Sequence, residues 1–375
     1  MSTQDASRLV ILGLDVHKDT IMACRYDPAT AEIERTHQFP NTPDQVAKLV
    51  RRLRASGCEP RVCYEASSCG FVIYRQLRGL GVECAVIAPS RIPRCSGDRI
   101  KTDRRDAEKL ATLFAAGLLT AIEVPDEELE RVRALVRCRA DLVGNLTQTK
   151  HRTTRLLQAR GQLFREGTNW SLKFRHWLKK IELDGADHTV LTTYRHLIEY
   201  LEGQIKALEG QLEQESKTDR FRDTVHVLGA FRGVALVTAM TLACELGDIR
   251  RFASPRQLMA FLGLVASEHS SGSTTRRGPI TKTGNIHARK ALVSAAWKYA
   301  ARPARSQALK NRQLGLSPAV VATAWKAQLR LNKKFHSLTM RKPRSVAAVA
   351  VARELSGFLW AAMNTLTTAA TPTTA

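Results

Sequence analysis

Acidic residues are scarce where basic ones are most abundant. Residues 226–375 hold four carboxylates, Glu245, Asp248, Glu268 and Glu354, against 22 lysines and arginines. They account for most of a formal charge of +23, the rest of the chain being close to balanced. A one-signed field of this kind is the footprint of a polyanion partner, most often nucleic acid. The eight cysteines contain no CxxC pair, which argues against a zinc site or a disulfide framework. Most lie in apolar runs and read as reduced core residues of a cytoplasmic protein. An uninterrupted apolar run of membrane-spanning length is also missing. The nearest to one, Val346 to Leu366, is broken by Arg353 and Glu354 and does not read as a span. The first residues, MSTQDASRLV, lack the basic and apolar regions of a secretory signal. A chain of 375 residues with 25% charged residues has the size and composition of a globular protein of two or three domains.

Against that background, Lys101 to Leu110 (KTDRRDAEKL) reads as the opening of a helix with Asp103 and Asp106 on one face. Adjacent carboxylates repel, so keeping two together suggests a divalent cation such as Mg²⁺ between them. The plainer alternative is a solvated helix start, with Asp as a cap and Arg104 and Arg105 as neutralising neighbours. Upstream, Arg8 to Val16, Thr20 to Tyr26 and Ile33 to Phe39 read as three antiparallel strands. Thr42-Pro43-Asp44-Gln45 then opens a helix to about Ala55. A strand at Arg61 to Tyr64, a helix near Phe71 to Leu80 and a strand at Glu83 to Ala88 follow. Three strands and then alternating helix and strand is the order of a ribonuclease-H-like domain. In that order Asp15 lies in the first strand and Glu65 ends the fourth, so both converge on Asp103 and Asp106. Four such carboxylates can hold two metal ions about 4 Å apart, a clamp for the attacking and leaving oxygens at phosphorus. Taken singly, Asp15 also reads as a strand-end turn residue and Glu65 as a surface charge.

From Pro125 the pattern becomes that of long helices. One seam runs through Leu129, Val132, Val136, Val143, Leu146 and Leu157, broken by Arg139, Lys150 and Thr153. A second, through Leu191, Tyr194, Ile198, Leu201, Ile205, Leu208 and Leu212, stays apolar and reads as coiled coil. The spacing leaves open whether the two pair within one chain or between chains. Gly161 to His188, between them, reads either as a nucleic-acid contact or as a helical tip with a small apolar cluster. Further on, Gly229 and Gly233 precede an apolar helix, a weak sign of backbone approach to phosphate. The polar, glycine-punctuated stretch from His269 to Asn285 carries Ser270 and Ser271 with Arg276, Arg277 and Lys282. It reads as a loop able to present a serine to a phosphodiester.

Together Gly13-Leu14-Asp15-Val16-His17-Lys18, Tyr64-Glu65-Ala66, Lys101 to Ala107 and the Ser270 to Asn285 block closely resemble the DEDD transposases of bacterial insertion sequences. This is insertion-sequence family one-hundred-and-ten, related to the Piv and MooV DNA invertases. The resemblance extends to Val349 to Trp360 and so covers almost the whole chain. It implies an α/β plus α architecture in three parts. A RuvC-like, ribonuclease-H-like domain spans residues 1–122, coiled-coil helices 123–222, and a mainly helical transposase domain 223–366. Residues 367–375 read as a disordered tail. It further implies Asp15, Glu65, Asp103 and Asp106 as catalytic metal carboxylates for Mg²⁺ or Mn²⁺. Ser271 is the implied nucleophile, with Ser270 as the neighbouring register. Arg276, Arg277, Lys282, Arg104 and Arg105 are placed as nucleic-acid contacts. The implied activity is DNA strand breakage and rejoining through a phosphoserine. The implied partners are element and target DNA, a structured guide RNA from the element, and further copies of the chain, with no membrane. A RuvC-type nuclease or junction resolvase without a serine nucleophile is the alternative enzyme, and a noncatalytic nucleic-acid scaffold the alternative outside enzymes. Relatives tend to have a Gly-Ile-Gly-Pro turn where this chain has Phe231-Arg232-Gly233-Val234-Ala235.

Overall fold

Arg8–Val16 forms β1, the central strand of a five-stranded sheet. Its side chains alternate between two faces, as a strand requires. Val10, Leu12, Leu14 and Val16 are buried on one face. Ile11, Gly13 and Asp15 point to the other. The computed structural model describes residues 7–93, 102–268 and 276–369, in two compact units, Met1–Val124 and Pro125–Ala375.

In the first unit β2 (Thr20–Asp27) and β3 (Glu32–Pro40) continue the sheet antiparallel from β1. Helix α1 (Pro43–Ala55) starts at Thr42, whose hydroxyl accepts the Gln45 N–H. Then come β4 (Cys58–Glu65), α2 (Val72–Gly79), β5 (Glu83–Ile87) and α3 (Asp103–Ala115). Both β4 beside β1 and β5 beside β4 run parallel, giving the order β3-β2-β1-β4-β5. Val46, Val50 and Leu53 of α1 and Ile73 and Leu77 of α2 close the even-numbered face of β1. The odd-numbered face takes α3. There Ala107 and Ala111 meet Ile11, Cys24 and Tyr26, and Leu110 meets Cys63 and Ile87. Burying Leu110 contributes about 1.5–3 kcal/mol. A Cβ at Gly13 would collide with the Ala107 carbonyl oxygen and the Ala111 nitrogen. Only glycine lets the α3 backbone lie directly on the strand.

Among its described residues the second unit is helical apart from one small hairpin. Helix α4 (Glu127–Ala159), α5 (Leu172–Lys180) and α6 (Gly185–Glu215) come first. Ion pairs Arg139–Glu209 at 2.6 Å, Lys150–Glu202 at 2.9 Å and Arg160–Asp187 at 2.5 Å fix α4 and α6 as an antiparallel hairpin within one chain. The three apparent breaks in the α4 seam are part of this packing. Arg139 and Lys150 pair across the hairpin. Thr153 is fully buried because its hydroxyl donates to the Thr149 carbonyl at 2.9 Å, leaving its methyl to pack. Between the two helices Phe164, Trp170, Phe174 and Trp177 make an aromatic cluster, the apolar tip that was one reading of this stretch.

Helices α7 (Arg222–Gly229), α8 (Leu236–Leu246) and α9 (Pro255–Phe261) follow, then β6 (Ala266–Glu268) paired antiparallel with β7 (Arg277–Ile280). Helices α10 (Ile286–Ala296), α11 (Gln307–Gln313), α12 (Pro318–Thr339) and α13 (Arg344–Ala369) complete the chain. Gly233 faces the Ala295 carbonyl too closely for any Cβ, so its glycine serves helix packing. Arg344–Thr365 is long and apolar enough to cross a membrane. Ala348, Val351, Leu355 and Leu359 nevertheless sit in the core, and Glu354 pairs with Arg330 and Lys334. It is a core helix of this unit. The rest of the expected tail, residues 370–375, lies outside the described residues.

The base of the helical hairpin belongs to the same core as α8 and α10, with Leu129, Val132, Val136 and Leu212 contributing. At this junction the fully buried Glu245 carboxylate accepts from Arg137 Nε at 2.7 Å and from Asn285 Nδ2 at 2.6 Å. Burial pushes its pKa up, but the hydrogen bonds from Arg137 and Asn285 and the nearby arginine charges hold it below the usual carboxylate range. Two stability changes are expected. Gly13→Ala forces α3 off β1 and lowers stability by about 1–3 kcal/mol. Glu245→Ala removes the shared acceptor of half-buried Arg137 and of Asn285 and costs about 1–3 kcal/mol. Denaturant unfolding of each variant measures both, and a wild-type midpoint in either case would contradict the packing described.

Candidate functional site

Because Asp15 is two residues beyond Gly13, it shares the face on which α3 lies. Glu65 is the last residue of β4 and follows Tyr64, the partner of Leu14 in the parallel ladder. Cys63 points to the α3 face and Tyr64 to the other, so alternation returns Glu65 to the α3 face. On α3 the Thr102 hydroxyl caps the helix by accepting the Arg105 N–H. Asp103 and Asp106 both lie in its first turn, on the side that continues through Ala107 and Leu110 into the core. Four carboxylates from three elements therefore sit on one face of the sheet, toward the C-terminal ends of β1 and β4.

The structure also brings in His17, which the sequence reading did not single out. Its Nε2 lies 3.3 Å from Asp15 Oδ2 and 3.4 Å from Asp103 Oδ2. Ligand atoms of Asp15, His17 and Asp103 all fall within 4.8 Å of one another. The β1–β2 turn holds His17 there. The His17 N–H donates to the Thr20 carbonyl at 2.9 Å, and Asn41 Nδ2 donates to the His17 carbonyl at 2.8 Å. The missed signal was the spacing Asp15-Val16-His17, which puts both side chains on the same face of a strand end. Burial pushes the Asp15 carboxyl above its ordinary pKa, with the charges of Asp103 and Asp106 adding and His17 opposing. The part of that rise which comes from Asp103 and Asp106 is one that a cation would relieve. The oxygen donors suit a hard divalent ion, and the imidazole is compatible with Mn²⁺ as well.

The flanking arginines divide. Arg104 Nε donates to Glu108 within α3 at 2.8 Å, and Glu108 also accepts from Thr36 of β3, so Glu108 ties α3 to the sheet. Arg105 is exposed.

In the second unit the serine loop has a defined base. Gly263 and Gly284, both at positive φ, cross so closely that a Cβ on either would strike the carbonyl of Thr283 or Phe261. Arg289 Nη1 donates to the Leu262 and Thr283 carbonyls at 2.8 and 2.9 Å. The β6–β7 hairpin rises from this crossing, with Ala266 opposite Ile280 and Glu268 opposite Arg277. Ser270 and Ser271 fall between its strands and lie outside the described residues. Arg276 and Lys282 are exposed, and Arg277 approaches Glu268 at 3.7 Å. Beside the hairpin Ile280, Lys282, Arg289, Lys290, Val293 and Trp297 line an open groove of about 440 Å³.

A five-stranded mixed sheet whose central strand, its parallel neighbour and a following helix all present carboxylates is consistent with a ribonuclease-H-like transposase domain. Comparison with known proteins carries this further. Residues 12–160 match the DEDD transposase domain family of IS110 type, described as Transposase. Residues 225–311 match the family described as Transposase IS116/IS110/IS902 family. The "Putative transposase y4qE" of Sinorhizobium fredii is 37% identical over 356 residues, 94% of this chain and 88% of that protein. The "Transposase for insertion sequence element IS1533" of Leptospira borgpetersenii is 31% identical over 343 residues, 90% of this chain and 99% of that protein. The "Transposase for insertion sequence element IS1111A" of Coxiella burnetii is 28% identical over 294 residues, 76% of each chain. The chain belongs to the IS110 family of insertion-sequence transposases.

Calorimetric titration with Mg²⁺ or Mn²⁺ is expected to give saturable binding that Asp15→Asn or Asp103→Asn weakens about tenfold or more. His17→Ala should weaken Mn²⁺ more than Mg²⁺, since imidazole prefers the softer ion. Equal losses for the two ions would place His17 outside the coordination sphere.

Proposed function

We propose that this transposase cuts and rejoins DNA through a covalent phosphoserine, in the bacterial cytoplasm, as a homo-oligomer, with a structured RNA from its element choosing the DNA sites. The observation that carries the reading is the packing of α3 on Gly13, which sets Asp15 and Asp103 side by side in a chain of this family. Three functional parts are assigned: the carboxylate domain over residues 1–122, coiled-coil helices over 123–222 and the serine-bearing domain over 223–366.

Asp15, Glu65, Asp103 and Asp106 would hold the divalent ion, Mg²⁺ or Mn²⁺. When bound, it supplies Lewis-acid stabilisation of the negative charge that develops around phosphorus. Ser271 is the nucleophile. Its Oγ forms a bond to phosphorus as the bond from phosphorus to one sugar oxygen breaks, and the serine proton ends on that leaving oxygen. One phosphoester replaces another, so the bond is conserved and reversal rejoins a strand without ATP. A serine hydroxyl has a high pKa and needs activation to attack. Lys282, Arg276 and Arg277, at the base of the loop, orient the DNA backbone and offset charge on the phosphate oxygens. Their exposure leaves them available for that contact. Arg105 contacts nucleic acid beside the carboxylates. Arg104 contributes charge there, although its guanidinium is engaged by Glu108.

The test is a denaturing gel of labelled element-junction DNA incubated with the full chain, its element's RNA and Mg²⁺. A protein-linked band should appear with wild type and with Ser270→Ala, and vanish with Ser271→Ala. Cleavage without any adduct, surviving both substitutions, would establish instead a RuvC-type nuclease in which water attacks.

A further inference from the structure

Helix α12 has two faces of opposite character. Val320, Ala324, Ala327, Leu331 and Phe335 enter the core. The outer face is cationic and partly aromatic. Trp325, Lys326, Leu329, Arg330 and Lys333 recur at three- and four-residue spacing and, with Arg305, line an open groove of about 540 Å³. The Arg305 guanidinium lies over the Trp325 ring, 4.9 Å from its centroid. Leu329 is 48% exposed, an apolar surface left in water among charges.

The local fold does not require this arrangement. The segment carrying Arg305 is already tied down, by Gln328 Oε1 accepting from Ala304 N at 3.1 Å and Asn332 Nδ2 donating to the carbonyls of Tyr299 and Ala301. Glu354 neutralises Arg330 and Lys334. Among the described residues Arg305, Lys326 and Lys333 have no carboxylate partner. A polyanion would neutralise the charge that Arg305, Lys326 and Lys333 leave on this face.

We infer that this groove is a binding site for single-stranded DNA, with an unpaired base stacked on the Trp325–Arg305 pair and flanking phosphates on Lys326 and Lys333. A stacking platform needs an exposed base face, which duplex DNA keeps inside its stack. Aromatic and cationic side chains together form the recognised pattern for strands with unpaired bases. The two lysines are seven residues apart, about 10 Å along the helix, so they contact different phosphates. Among the described residues no serine, threonine, asparagine or carboxylate lines the groove, so no side chain there accepts a hydrogen bond from a ribose 2′-hydroxyl. The inference rests on the reading of the chain as acting on DNA, but it is independent of Ser271 and of any metal.

The experiment measures binding of the full chain, in EDTA, to a labelled 20-nucleotide DNA strand, to its duplex and to RNA of the same sequence. Trp325→Ala should weaken the single strand about 10- to 100-fold, the size of one base–aromatic stack, and leave the duplex within about twofold. Trp325→Phe, which keeps an aromatic face and most of the packing, should retain most of the affinity. The exposed pair Lys326→Gln and Lys333→Gln should flatten the slope of log affinity against log salt by about 1.4 for the single strand. Equal losses for strand and duplex, or no loss from either the tryptophan or the lysine variants, would overturn the proposal. So would RNA binding more tightly than DNA and losing more on Trp325→Ala, which would give the groove to RNA. Adduct formation by these variants on pre-opened junction DNA separates failure of this site from failure of the serine chemistry.

Discussion

The acidic face of the first unit depends on one contact, the meeting of two backbones at Gly13. Asp15 lies two residues further along β1, about 6.6 Å at strand rise. Asp103 lies four residues before Ala107, about 6 Å at helix rise. Equal steps from one contact point bring the two carboxylates level, which is what the shared His17 contact records. A side chain at position 13 would lift the helix and separate them. The small residues Ala107 and Ala111 complete the same requirement from the helix side. The acidic centre is therefore a consequence of packing, and its like charges are tolerated because Leu110, Ala107 and Ala111 hold the helix down.

The second unit has an analogous point in Glu245. An isolated buried carboxylate is costly, and this one is retained in the most cationic part of the chain. It joins the hairpin helix α4 through Arg137 to the core helix α8 and to Asn285. Asn285 is itself the cap of α10, its Oδ1 accepting the Ala288 N–H at 2.9 Å. Asn285 follows directly on Gly284, one half of the backbone crossing under the serine loop. Whatever orients the hairpin helix thus also fixes the end of that loop. Breaking Glu245 would disturb the loop through its anchor, without touching its exposed residues.

Much of this was legible in the residues. The near-continuous apolar run from Arg8 to Val16 and the Thr42-Pro43 cap gave strand and helix positions close to those observed, because local chemistry decides both. Two carboxylates on one face of α3 followed from spacing alone. What escaped was anything set by a third element. His17 had no role of its own in the sequence, and Asn41 holding its carbonyl is what helps to place it. Arg139 and Lys150 read as breaks in a seam until their partners on the facing helix are known. Gly233 suggested phosphate contact, whereas a helix carbonyl occupies that space. The sequence also left open whether the long helices pair within a chain, which their ion pairs decide.

Charge counting misleads in a related way. Several of the arginines that make the second unit so basic are committed to the fold. Arg133 donates to the Cys244 carbonyl, Arg232 to those of Ala301 and Arg302, Arg289 to two loop carbonyls, and Arg312 to that of Val234. Each keeps its charge and so contributes to the long-range attraction of a polyanion. None of those hydrogen bonds is available to a phosphate without being broken. Side chains free to make direct contact are fewer and are not spread evenly. Lys282 and Lys290 border the groove beside the serine loop, while Arg305, Lys326 and Lys333 border the groove on α12. The excess charge attracts DNA to the whole unit, and these two surfaces, each with a tryptophan among its cations, are where the proposed contacts fall.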